Sequence, residues 1–116
     1  MGFVSLVGAA GAAAAPVTET ITGTAATIAL EDNTQYVCTS DSLTALVVTV
    51  PEEDETGFMA GVTFTYSSGM NLGFTGADIY FIGTDCYDGD FVPQEDGYTY
   101  DIVIWYNGLC WKAAVG

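Results

Sequence analysis

Apolar side chains alternate with small or polar ones along several short stretches, and this period of two constrains the fold more than any other feature. Along residues 58–66 one face carries Phe58, Ala60, Val62, Phe64 and Tyr66, and the other carries Met59, Gly61, Thr63 and Thr65. A half-buried β-strand requires this pattern. Similar stretches recur about every ten residues, with turn-forming residues between them. The pattern predicts an all-β fold, an antiparallel β-sandwich or small barrel of seven to eight strands.

The C-terminal part of the chain carries an explicit hairpin signal. Alternating stretches at residues 98–106 and 109–115 flank Asn107-Gly108, a pair that favours a two-residue type I′ turn. Such a turn would place Trp105 opposite Cys110. The face that includes Ile104 and Trp111 is expected to lie in the core. No internal repeat is evident in the chain.

The first residues form an apolar arm that differs from the rest of the chain. Residues 1–17 combine an Ala/Gly run with the large apolar side chains of Phe3, Val4, Leu6 and Val7, whereas residues 18–116 are predicted to form the β-domain. The arm lacks the positive start of a signal peptide and is too short to span a membrane. It could pack on its own domain or contact another polypeptide. We expect the second, because soluble monomers rarely expose such a patch.

Charge excludes several classes of partner. The 116 residues include one basic and 15 acidic side chains, a net charge of −14 at pH 7. Such a chain repels phosphate, so neither nucleic acid nor an anionic membrane is an expected partner. There is no histidine to act as a general base or to activate a serine or cysteine. The acidic residues 52–55 and 95–96 are expected to be solvated loop residues rather than paired catalytic carboxylates. We therefore expect no enzymatic activity.

Cysteine, metal and aromatic patterns give weak signals. Cys38, Cys86 and Cys110 form neither an even disulfide set nor a zinc motif, which predicts mostly buried, reduced thiols. The one metal-like cluster is a calcium candidate formed by Asp85, Asp88 and Asp90, although an acidic turn in water explains it better. No cofactor is expected. Aromatic side chains could form a sugar-stacking platform, for which Tyr36, Tyr87 and Trp105 are the residues to check. The single cation, Lys112, is expected to pair with Asp101 across the hairpin.

Several stretches together resemble a small β-domain found in structural proteins of tailed bacteriophages. They are TFTYSSG (63–69), FVP (91–93), YTYDIVIWYNG (98–108) and WKAAV (111–115). The resemblance covers about residues 18–116. It implies a non-enzymatic virion structural protein, made in the bacterial cytoplasm and anchored to the capsid or tail, such as a capsid decoration or head-fibre protein. It also implies a homo-oligomer, possibly a trimer. A carbohydrate-binding or tail-tip receptor-binding module is the alternative, and a calcium-stabilised adhesin-like domain is a third reading.

Overall fold

Nine β-strands make up the regular structure of the part of the chain that the computed structural model describes, residues 16–51, 56–82 and 95–116. Within these residues there is no helix, so the predicted all-β class is confirmed. The strands are β1 (Val17–Ile21), β2 (Ala25–Ala29), β3 (Thr34–Cys38), β4 (Ala45–Thr49), β5 (Met59–Thr65), β6 (Asn71–Thr75), β7 (Ile79–Ile82), β8 (Thr99–Tyr106) and β9 (Trp111–Val115).

The strands form two sheets. The larger sheet has the order β1-β3-β5-β8-β9-β7, and the smaller sheet has the order β2-β4-β6. From β1 to β6 the chain passes from one sheet to the other after every strand. Each pair of consecutive strands is therefore one coil, and successive coils stack so that β1, β3 and β5 run parallel, as do β2, β4 and β6.

This winding corrects the predicted strand directions. Only β8 pairs antiparallel with its neighbours β5 and β9, while the other described ladders are parallel. Consecutive strands pair antiparallel when the chain turns back within one sheet, whereas from β1 to β6 each connection crosses to the opposite sheet. The pairing is thus mixed rather than that of an antiparallel sandwich or barrel.

The coils also differ in length, so the sequence shows no fixed repeat period. The strands of the larger sheet begin at Val17, Thr34 and Met59, so the second coil is longer than the first. A tight turn joins the coils where Asn33 adopts a left-handed φ of 56°. There the Asp32 carboxylate accepts a hydrogen bond from the Met59 backbone N–H at 2.9 Å. An acidic turn residue therefore fastens one coil to the next.

The C-terminal hairpin forms as predicted in its strands but not in its turn. Tyr106 lies opposite Trp111 and Trp105 lies opposite Lys112, so four residues, 107–110, form the connection. The Asn107 side-chain oxygen accepts hydrogen bonds from the backbone N–H groups of Leu109 and Cys110, both at 2.9 Å. This side chain holds the wider loop together. Because the register moved by two residues, the paired side chains of β8 and β9 keep their predicted faces. Leu109, which the predicted two-residue turn placed in the second strand, instead lies in the loop and is exposed.

One hydrophobic core lies between the two sheets. It includes Leu46 and Val48 from the smaller sheet and Phe64, Ile104 and Trp111 from the larger one, each almost fully inaccessible to water. The rings of Phe58 and Trp111 meet edge to face with centroids 5.0 Å apart. Such packing is worth about 0.5–1.5 kcal/mol beyond the area buried. Both sheets therefore depend on the same interior, and neither is an independent layer.

Candidate assembly surfaces

The outward side chains of the smaller sheet carry no charge. They alternate with core residues along β2, β4 and β6 and define what we call the uncharged face: Ala25, Thr27, Ala29, Ala45, Val47, Thr49, Asn71, Gly73 and Thr75. The hydroxyls of Thr49 and Thr75 lie 2.7 Å apart and hydrogen-bond to each other. In a chain of net charge −14, a sheet face without a single carboxylate is a surface that another protein can cover without desolvating charge.

Acidic residues of the described part lie mostly in the connections between strands. Glu31, Asp32, Asp41, Asp78, Glu95 and Asp96 are all exposed there. Two acids lie within strands, Glu19 in β1 and Asp101 in β8, and both strands belong to the larger sheet. Asp96 also has a structural contact, because its carboxylate accepts a hydrogen bond from the Ser68 backbone N–H at 2.8 Å. Charge is thus separated from the uncharged face by the fold.

A second surface crosses the outside of the larger sheet. Neighbouring strands bring Met59, Trp105, Lys112 and Tyr80 into one row, which we call the aromatic row. Trp105 is half-buried and Tyr80 is 39% exposed. The Lys112 ammonium lies 5.8 Å from the centre of the Tyr80 ring, within the range of a cation–π contact. Two aromatic side chains therefore flank the single cation of the chain.

This arrangement corrects the predicted pairing of Lys112 with Asp101. The Asp101 carboxylate accepts a hydrogen bond from the Thr63 hydroxyl at 2.7 Å. Lys112 lies opposite Trp105 rather than opposite Val103, the position from which it would have reached Asp101 diagonally, because the hairpin register moved by two residues. Among the described residues, the carboxylate is thus satisfied by a neutral donor and the ammonium by an aromatic ring.

The first coil leaves an open end between the two sheets. Within the described residues β1 pairs only with β3, and β2 pairs only with β4. A cavity of about 250 Å³ lies between them, lined by Glu19, Thr20, Ile21, Thr27, Ile28, Ala29 and Tyr36. The Tyr36 hydroxyl donates to the Ala29 carbonyl at 3.3 Å and accepts from the Glu31 N–H at 3.0 Å. Burial raises the pKa of Tyr36 above its usual value.

The residues selected from the sequence fall into two groups. Phe3, Val4, Leu6 and Val7 of the arm lie outside the described residues. So do the calcium candidates Asp85, Asp88 and Asp90, the acidic residues 52–55, Tyr87 and Cys86. In the described part, no group of three or more histidine, cysteine or acidic side chains is placed to hold a metal ion. Within the same ranges no helix is long and apolar enough to cross a membrane.

The other residues selected from the sequence lie within the described part of the chain. Cys38 is buried and Cys110 is partly buried, and both are free thiols. Burial raises the pKa of the Cys38 thiol, which makes it a poor nucleophile. Tyr36 is buried in the core and cannot serve a surface platform, whereas Trp105 remains partly accessible. Sequence reasoning missed the uncharged face, because the parallel order that brings β2, β4 and β6 together has no local signal.

Comparison with known proteins gives no relative: no protein-family model matches the chain, and no curated protein or solved structure is significantly similar to it.

Proposed function

We propose that this chain is a non-enzymatic structural protein of a tailed-bacteriophage virion, a capsid decoration or head-fibre protein that its N-terminal arm anchors. The observation that carries the proposal is the uncharged face of the smaller sheet. Interface centres are depleted of charged residues, and burying a carboxylate without a partner is costly. A chain of net charge −14 that keeps one face free of charge is suited to contact a protein there and water elsewhere.

In this proposal the two-sheet body is the outward domain, and the acidic connections are hydrated. Phe3, Val4, Leu6 and Val7 bury their side chains against another virion protein or another copy. Each buried side chain of this kind contributes about 1.5–3 kcal/mol. The free thiols of Cys38 and Cys110 fit synthesis in a reducing bacterial cytoplasm before assembly into the particle.

The direct test is mass spectrometry of purified virions from the phage or prophage whose genome encodes this chain. The intact chain should be present in many copies per particle. Deletion of residues 2–15 should leave a folded β-domain that no longer purifies with the particle. If virions whose other structural proteins are detected lack this chain, the proposal is wrong.

A matched pair of substitutions tests the uncharged face separately. Thr27→Lys places a charge on this face, and Thr99→Lys places one on the exposed outside of the larger sheet. Circular dichroism should show that both variants fold. We expect Thr27→Lys to reduce incorporation into virions at least tenfold and Thr99→Lys to leave it unchanged. Equal incorporation of the two variants would show that the face is not a contact.

The aromatic row favours a second function, carbohydrate binding at a tail tip. Trp105 and Tyr80 lie two strands apart, about 10 Å from each other by strand spacing. Exposed aromatic rings stack on sugar rings, and Lys112 between them could donate hydrogen bonds. A glycan array should detect binding that Trp105→Ala abolishes and that Leu109→Ala, at an exposed loop side chain, does not. Binding lost equally in both variants would not support this site.

A further inference from the structure

The loop between β8 and β9 places an asparagine carboxamide next to an unhindered backbone nitrogen. Of the asparagines in the chain, only Asn107 is followed by glycine, whereas Thr34 follows Asn33 and Leu72 follows Asn71. Asn107 and Gly108 are both exposed, and Gly108 has no Cβ to block an approach to its nitrogen. A carboxamide carbon that is attacked by the nitrogen of the next residue closes into a succinimide ring. This pair therefore offers that reaction the least steric hindrance.

The side-chain oxygen of Asn107 lies in front of two hydrogen-bond donors. The backbone N–H groups of Leu109 and Cys110 both donate to it at 2.9 Å. An N–H group can donate only to the oxygen of a carboxamide, so these bonds fix which way the amide points. Attack on the carboxamide carbon moves negative charge onto this oxygen. Preorganised N–H groups about 2.7–3.1 Å from a developing oxyanion stabilise it, and the loop supplies two of them.

The attacking nitrogen is available for reaction. Within the described ranges the Gly108 N–H makes no hydrogen bond, whereas the Asn107 N–H donates to the Cys110 carbonyl at 3.2 Å. A backbone N–H must lose its proton before its nitrogen can attack, and an exposed N–H without an acceptor can give that proton to hydroxide. Because Asn107 is exposed, ammonia released from its side chain can leave directly into water.

We propose that Asn107 is a site of spontaneous modification, at which the folded loop promotes cyclisation with Gly108. The bond between the Gly108 nitrogen and the Asn107 Cγ forms, the Cγ–Nδ2 bond breaks, and the former amide group leaves as ammonia with the proton that Gly108 lost. Water then opens the succinimide to aspartate or isoaspartate. Either product adds a carboxylate, and isoaspartate also adds a methylene to the main chain between β8 and β9.

Peptide mapping of the purified protein tests this proposal. The protein is incubated under reducing conditions at neutral and at mildly alkaline pH, cleaved with chymotrypsin, and analysed by mass spectrometry with electron-transfer fragmentation. A synthetic peptide of residues 103–112 is the reference, because it has the same sequence without the folded loop. We expect Asn107 to convert at least as fast in the protein as in the peptide, and faster at the higher pH. Slower conversion in the protein, or equal conversion at Asn71, would overturn the proposal.

A matched pair of variants at position 109 tests the role of the two donors. Leu109→Pro removes one of the N–H groups that face the Asn107 oxygen, whereas Leu109→Ala keeps it and shortens a side chain that is 88% exposed. We expect Leu109→Pro to slow conversion at least threefold and Leu109→Ala to leave it unchanged. Equal rates in the two variants would show that the donors do not promote the reaction, which refutes the proposal. If circular dichroism shows that Leu109→Pro is unfolded, the comparison of protein and peptide decides. The reaction needs only this chain, so neither result depends on the proposed function.

Discussion

The coils of β1 to β6 and the hairpin of β8 and β9 belong to one core but are built from different kinds of contact. In the coils, paired strands are far apart in sequence: Ala25 lies beside Ala45, and Ala45 lies beside Asn71. In the hairpin, Tyr106 lies beside Trp111. Closing a long loop costs more entropy than closing a short one, so the hairpin loses less chain entropy than the coils before its contacts form. The hairpin should therefore lead folding, and the coils should follow.

The largest effects should come from matched cavities in the two regions. Ile28 in the coils and Ile104 in the hairpin are both buried, and alanine at either position should reduce the free energy of unfolding by about 2–5 kcal/mol. Urea titration gives this value, and stopped-flow kinetics separates the regions. Ile104→Ala should mainly slow folding, and Ile28→Ala should mainly speed unfolding. If Ile28→Ala slows folding more, the coils form first and the comparison above is reversed.

Two glycines with similar backbone angles provide a second contrast. Gly76 has a φ of +98° and Gly97 has a φ of +81°. A Cβ on Gly76 would collide with the Val50 carbonyl oxygen and lie 3.1 Å from the Val50 Cγ2, whereas a Cβ on Gly97 would meet nothing within 4 Å. We expect the free energy of unfolding, measured by urea titration, to fall by about 3–5 kcal/mol in Gly76→Ala and by about 1–2 kcal/mol in Gly97→Ala. Similar losses would mean that the coil connection can move aside.

Tyr36 connects the coils at the open end, and its removal should have a smaller effect. Tyr36→Phe loses two hydrogen bonds and should reduce the free energy of unfolding by about 1–2 kcal/mol at pH 7. Tyr98→Phe, at an exposed ring, should leave the free energy of unfolding almost unchanged. The pKa of Tyr36 is raised in the folded state by burial. Its neutral form therefore stabilises the fold fully below about pH 10, the usual tyrosine pKa, and this contribution is lost as pH rises through the folded-state pKa.

The pH dependence of this effect is measurable by chemical unfolding from pH 8 to 11. The unmodified protein should lose stability more steeply than Tyr36→Phe above about pH 10. Parallel curves for the two proteins would show that Tyr36 ionises without opening the end of the coil.

The smallest effect is expected in the hairpin loop. Asn107→Ala removes the acceptor of two backbone hydrogen bonds and should cost about 1 kcal/mol, compared with a few tenths for Asn71→Ala in the exposed part of β6. Thermal unfolding followed by circular dichroism can detect this difference. If Asn107→Ala is neutral, the four-residue loop is fixed by strand pairing instead of by its side chain.

Local patterns explain how much of the fold could be predicted from the sequence. Alternation identified β5, β8 and β9 and their faces, and Asn107-Gly108 identified a hairpin. The loop length was missed because the Asn107 side chain binds two backbone N–H groups, an option that the dipeptide rule omits. A shift of two residues left the faces of the paired residues unchanged, so Ile104 and Trp111 lie in the core as predicted, whereas Tyr98 and Leu109 of the same predicted face are exposed.

The order of the coils and the uncharged face could not be predicted, because both depend on contacts between strands that are far apart in the sequence. The pairing of β2 with β4 follows from connections that cross between sheets, and unequal coil lengths leave no repeat to detect. β1 has weak alternation because the acidic Glu19 occupies a position on the side that faces the core. Of the candidate surfaces, the uncharged face emerged only from the sheet order.

The position of the one lysine has a consequence for proteolysis. Trypsin cleaves after lysine and arginine, so Lys112 marks the single bond of this chain that it can recognise. That bond lies within β9, which has β8 on one side and β7 on the other. A protease needs an extended, unpaired substrate, so cleavage requires the central part of the larger sheet to open first. A protein with no other site would survive in a trypsin-rich environment as long as its fold persists, and the rate of its cleavage would report the population of the open form.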